Sequence, residues 1–107
     1  MDDRYIVVMT AVPSEAKGRE IALKLVEKRL AACVTTSRAA RSFYRWKGKV
    51  TDAEEWVLII KTKAVLYGKL EAELKAAHPY SVPEIIALPV VAGHPPYLKW
   101  ISDETLS

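Results

Sequence analysis

Two segments of this chain are apolar at nearly every position: Tyr5-Ile6-Val7-Val8-Met9-Thr10-Ala11-Val12 and Trp56-Val57-Leu58-Ile59-Ile60. A strand with one face in water alternates apolar and polar residues, and neither segment does so. Each reads as a strand buried on both faces. A sheet built around them needs a cover on each side, and that requirement governs what else the chain can be.

The rest of the sequence supplies one cover only. Pro13 and Ser14 stop the first strand, and Ser14 is a good N-cap for a helix from Glu15 to about Leu30. Ile21, Ala22, Leu25, Val26 and Leu30 recur there at helical spacing, and Glu20 precedes Lys24 by four, the favourable order for an exposed pair. Gly18 weakens this helix by about 1 kcal/mol relative to alanine. Leu30 to Thr36 begins a second strand, which continues through a bulge among residues 37–40 into Ser42-Phe43-Tyr44-Arg45-Trp46. Lys47-Gly48 suits a tight turn, although Asp52-Ala53-Glu54 is either an irregularity in the return strand or the turn itself. The return strand takes Lys49 to Thr62. Leu66, Leu70 and Leu74 then mark a second helix, with Glu71 four before Lys75, ending near His78 because Pro79 cannot continue it. Pro83 to Val91 reads as a last strand closed by Gly93, and Pro95-Pro96 open a terminal helix bearing Tyr97, Leu98, Trp100 and Ile101.

The order β-α-β-β-α-β, with right-handed crossovers, gives a split βαβ sheet with both helices on one face. Its first and third strands are central and its second and fourth are edges. Pro89 falls on the fourth, where the missing N–H does least harm. The second face, apolar and uncovered, calls for another copy of the chain. Pattern gives an oligomer without giving its number.

With 107 residues the chain is one domain, 1–107. Half its residues are apolar and 27% are charged, which excludes a disordered class. The net charge of +3 is spread with both signs mixed, as on a solvated surface. The single Cys33 excludes an internal disulfide framework and suits a reducing compartment. Met1-Asp2-Asp3-Arg4 carries acids where a secretory signal carries bases, and no segment is long and apolar enough to span a bilayer. A cytoplasmic protein without a membrane partner is expected.

Several motifs line up with one family. Leu30-Ala31-Ala32-Cys33-Val34, Ser42-x-Tyr44-x-Trp46-x-Gly48, Lys61-Thr62, His78-Pro79-Tyr80-x-x-Pro83-Glu84 and Tyr97-Leu98-x-Trp100 resemble the successive signatures of CutA, the divalent-cation tolerance proteins. Glu55, six residues before Lys61, matches as well. The resemblance implies an α+β, ferredoxin-like β-α-β-β-α-β sandwich with an extended hairpin of the second and third strands and a short C-terminal helix, assembled as a homotrimer with sheets facing inward. It also implies tolerance and binding of copper or another divalent cation, and a likeness to PII signalling proteins, which hold ligands in clefts between subunits. Thr35 stands where many members carry asparagine, and His94 is followed by Pro95 rather than by a second histidine.

The candidate chemistry is sparse. Cys33 is either a small buried side chain or, tripled by a threefold axis, a thiolate set for copper(I). His78 either caps a helix or joins Tyr80 and Glu84 as a ligand for copper(II) or zinc. Cys33, His78 and Glu84 are the metal candidates. Tyr44 and Trp46, two apart on one strand, share a face. RNA-binding sheets also stack bases on strand aromatics, yet the Gly-aromatic pattern of such modules is missing where Leu58-Ile59-Ile60-Lys61 stands, so nucleic acid is not expected. Tyr44, Trp46, Glu55, Lys61 and Tyr80 are the candidates for an intersubunit cleft, where the charges hold an anion or a metal, or pair to fix register between subunits. No nucleophile has a nearby base, and no Gly-rich loop opens a helix, so an enzyme is not expected. The leading expectation is a trimeric metal-binding protein. The alternatives are a sensor of a small anion or metabolite and a scaffold for partner proteins.

Overall fold

The computed structural model describes residues 4–107; the acidic start Met1-Asp2-Asp3 lies outside them. Strands β1 (Tyr5–Val12), β2 (Cys33–Trp46), β3 (Lys49–Lys63) and β4 (Ile86–Pro89) form one antiparallel sheet in the order β2-β3-β1-β4. Helices α1 (Glu15–Glu27) and α2 (Tyr67–Ala77) lie on one face, and α3 (Pro95–Glu104) follows β4. The apolar strands are central and Pro89 is on an edge, as the sequence predicts. Among the described residues no helix is long and apolar enough to cross a membrane.

Side chains of even-numbered β1 residues meet the helices. Ile6, Val8 and Val12 join Leu58 and Ile60 of β3, Ile21 and Leu25 of α1, and Leu70 and Leu74 of α2 in the main core. Gly18 is buried, and a Cβ there would come within 3.3 Å of Leu58 and Val12. The cost of glycine in a helix is thus the cost of letting α1 approach the sheet. Thr10 is the exception in this layer: its side chain is fully buried and its hydroxyl has no hydrogen-bond partner among the described residues.

Helix α1 starts on Ser14, whose hydroxyl accepts from the Lys17 amide at 3.1 Å. It stops three residues before the expected end. Arg29 turns left-handed at φ 59°, the Arg29 amide donates to Val26 O, and the Leu30 amide donates to Leu25 O, which together form a Schellman cap. Left-handed backbone costs a non-glycine residue about 1 kcal/mol, offset here by contacts to the end of α3. The Arg29 guanidinium donates to Asp103 O at 2.7 Å, and Arg29 O accepts from the Leu106 amide. Residues 30–32 therefore form a buried link instead of the start of β2. Neither expected i,i+4 pair forms: Glu20 turns back to Lys17 at 2.6 Å, and Glu71 accepts from the Tyr67 hydroxyl.

Strands β2 and β3 form one long hairpin. Lys47 and Gly48, both at positive φ, make its two-residue turn, and Asp52, Ala53 and Glu54 pair regularly with Phe43, Ser42 and Arg41. The register shift lies between Thr36 and Ala39, within the expected bulge. Pairing of β3 with β1 ends at Trp56, so the hairpin beyond it leaves the sheet as an arm about 20 Å long. The last strand is much shorter than the Pro83 to Val91 expected, keeping only four residues opposite β1. Proline at each end of this segment withholds an amide from the ladder.

The second face is partly covered. Helix α3 packs Ile101 on Tyr5 and Ala32, and the Tyr5 and Ser102 hydroxyls meet at 2.6 Å. Beyond it the face stays open, presenting Val7 and Met9 of β1, Val57 and Ile59 of β3, and Ile86 and Leu88 of β4, the last two 50% and 47% exposed.

His78 ties the end of α2 to the sheet. It is buried, and its Nε2 lies 2.8 Å from Ala11 O while Nδ1 accepts from the Tyr80 amide at 3.2 Å. These partners fix the neutral tautomer with the proton on Nε2. Burial holds the ring below its ordinary value of 6.5, outweighing the bond to Ala11 and the charge of Glu55.

Two outcomes follow from this packing. Thr10→Val should raise unfolding stability by about 1 kcal/mol, because it removes a buried hydroxyl without a partner; denaturant titration at fixed protein concentration measures it, and a loss of stability would contradict it. The neutral His78 ring contributes stability that is full above its unfolded value of 6.5 and falls as pH drops through that value, since unfolding lets the ring take up a proton. Unfolding free energy should decline from pH 7 towards pH 5, and His78→Gln should flatten that slope.

Candidate functional site

Where the hairpin arm leaves the sheet, it forms a cleft of about 780 Å³ with the segment after α2. Ser42, Phe43, Tyr44, Trp46 and Glu55 of the arm make one wall. Pro79, Tyr80, Val82 and Glu84 make the other, with Ala11 between. The β2 alternation aims Tyr44 and Trp46 to one side of the arm, and Pro79 directs the chain after His78 across the sheet end.

The most constrained contact here is between Tyr80 and Glu55. The Tyr80 hydroxyl donates to Glu55 Oε2 at 2.9 Å, and Glu55 is only 8% exposed. Burial first, and then the bond and charge of Glu55, push the Tyr80 phenol up to about 12. It is therefore a fixed donor at neutral pH. His78 lies behind this pair, its ring 4.9 Å from that of Tyr80, and holds the Tyr80 amide.

The structure divides the candidate residues into two places. Tyr44, Trp46, Glu55, Tyr80 and Glu84 line the cleft. Cys33 and Lys61 are register partners on β2 and β3, near the α3 end of the open face. Lys61 Nζ donates to Thr35 Oγ1 at 2.7 Å, and Cys33 Sγ lies 3.9 Å from the same oxygen. Six residues of β3 separate Lys61 from Glu55, about 20 Å of strand. Within one chain, then, Lys61 does not enter the cleft, and Cys33 does not approach His78 or Glu84.

The metal candidates do not come together among the described residues of one chain. Both ring nitrogens of His78 are engaged in hydrogen bonds, so ligation there would give one up. Cys33 stands beside the Lys61 ammonium, and Glu84 is exposed on the far wall of the cleft. Among the described residues no three His, Cys, Asp or Glu side chains are grouped closely enough to share an ion. A metal set that includes Cys33 needs ligands from more than one copy. Sequence reasoning missed the tie between His78 and Ala11, 67 residues apart, for which no local signal exists.

Residues 6–104 match the family model of the CutA1 divalent ion tolerance protein. The chain is 48% identical over 99 residues to the divalent-cation tolerance protein CutA of Thermus thermophilus, covering 92% of this chain and 96% of that one. It is 46% identical over 95 residues to Protein CutA of mouse, covering 89% of this chain and 54% of the longer mouse protein. Among solved structures, CutA1 of the psychrotrophic bacterium Shewanella superposes with a TM-score of 0.96 over all of both chains at 36% identity. With an arm, an open face and a cleft in the same fold, the chain belongs to the CutA1 divalent ion tolerance family.

Proposed function

We propose that the chain acts as a homotrimer that confers tolerance to copper or another divalent cation by binding it with ligands from more than one subunit. The observation that supports this most is the open sheet face. Val7, Met9, Val57 and Ile59 form a contiguous, half-buried apolar surface on the sheet face away from α1 and α2. Burying it against further copies would follow from the hydrophobic effect, and the number three comes from the family resemblance. Cys33 sits on that same face, so a threefold assembly multiplies one thiol into three, a donor set suited to copper(I). The reading places the protein in the cytoplasm, where a lone thiol stays reduced.

The test pairs light scattering with a competition titration of copper(I) and copper(II). The parent should scatter at three times the 12.0 kDa chain mass and bind copper stoichiometrically. Met9→Asp, which puts a carboxylate into the apolar face, should shift the mass to the single chain. Cys33→Ser should keep the mass and lose the metal. A monomeric parent ends the assembly reading, and unchanged copper binding in Cys33→Ser ends the thiol reading.

A further inference from the structure

We propose that the cleft at the base of the arm is a binding site for a small organic ammonium cation. Three features of its lining converge on this class. Tyr44, Trp46 and Tyr80 supply aromatic rings that are partly exposed to its space. Glu55 and Glu84 supply two carboxylates, and no basic side chain is among the lining residues. The buried Glu55 accepts one hydrogen bond through Oε2, leaving Oε1 without a partner among the described residues. A carboxylate with an unused oxygen beside aromatic faces is the arrangement that attracts a weakly hydrated cation.

Other ligand classes fit less well. Within one chain an anion would meet two carboxylates and no lining cation, since that chain's own Lys61 is about 20 Å away along β3. A bare metal ion would leave most of a 780 Å³ space unused and would find only two carboxylates, whereas hard cations take six or more oxygens. The Tyr80 phenol, held protonated first by burial and then by its bond to Glu55, donates to that carboxylate and fixes it in position. The chain as a whole carries +3, so the negative lining is a local contrast rather than a share of a general acidity. This inference is independent of the thiol site and does not need copper.

Titration of the assembled protein with tetramethylammonium chloride, followed calorimetrically and by the indole NMR signals, tests it. Tert-butanol serves as the neutral probe of similar size, and sodium phosphate as the anion. Saturable tetramethylammonium binding is expected, weakened roughly tenfold or more by Trp46→Ala and by Glu55→Gln, with tert-butanol weaker by a similar factor. Glu55→Gln keeps an acceptor for the Tyr80 hydroxyl, and Trp46 is half-exposed, so both variants should retain the fold. Equal binding of tert-butanol, binding of phosphate at the cleft, or no response to tetramethylammonium would overturn the proposal.

Discussion

The pairing of β1 with β3 is the constraint on which the rest of this molecule depends. Eight residue pairs from Tyr5–Lys63 to Val12–Trp56 hold the two strands together, and both faces of that ribbon are largely apolar. One face fixes the helices: Val8, Leu58 and Ile60 are fully buried beneath α1 and α2, and glycine at 18 lets α1 come down onto them. The other face is bare over its middle. The same two strands thus complete a core within the chain and expose the surface that an assembly would bury. The place where their pairing stops, at Trp56, also releases the arm and opens the cleft.

Placement of the chemistry follows from that geometry. Cys33 and Lys61 sit at the end of the ribbon near α3, and Glu55 with its partner Tyr80 sits at the other. Among the described residues of one chain, the thiol and the buried, fully bonded imidazole belong to no group of three potential metal ligands. Its cleft gathers an oriented carboxylate, a protonated phenol and two further rings within one chain. These are different chemistries at different ends of one sheet, and they can be disabled separately.

The architecture was largely legible in the sequence because it rests on periodicity and punctuation. Unbroken apolar runs marked the central strands, Lys47-Gly48 marked the turn, and Pro89 marked an edge. The misreadings share a cause, which is that tertiary partners overruled local signals. Arg29 carries no glycine signature, yet contacts to α3 hold it left-handed and end α1 early. Glu20 and Glu71 had lysines at ideal spacing and took partners one turn earlier in the helix instead. For the site, one chain brings Tyr44, Trp46, Glu55 and Tyr80 to one cleft, from one face of the arm and the segment after α2. Within that chain Lys61 stands six residues along β3 from Glu55, and the expected grouping was one between subunits.

The hydrogen bond between Tyr5 and Ser102 closes a loop of 97 residues. The docking of α3, stitched also through Arg29 to the end of α1, joins the chain's last helix to its first strand. Loosening that helix would wet Tyr5 and Ala32 and extend the open part of the sheet's second face, so a ten-residue element limits how much apolar surface one chain shows to another.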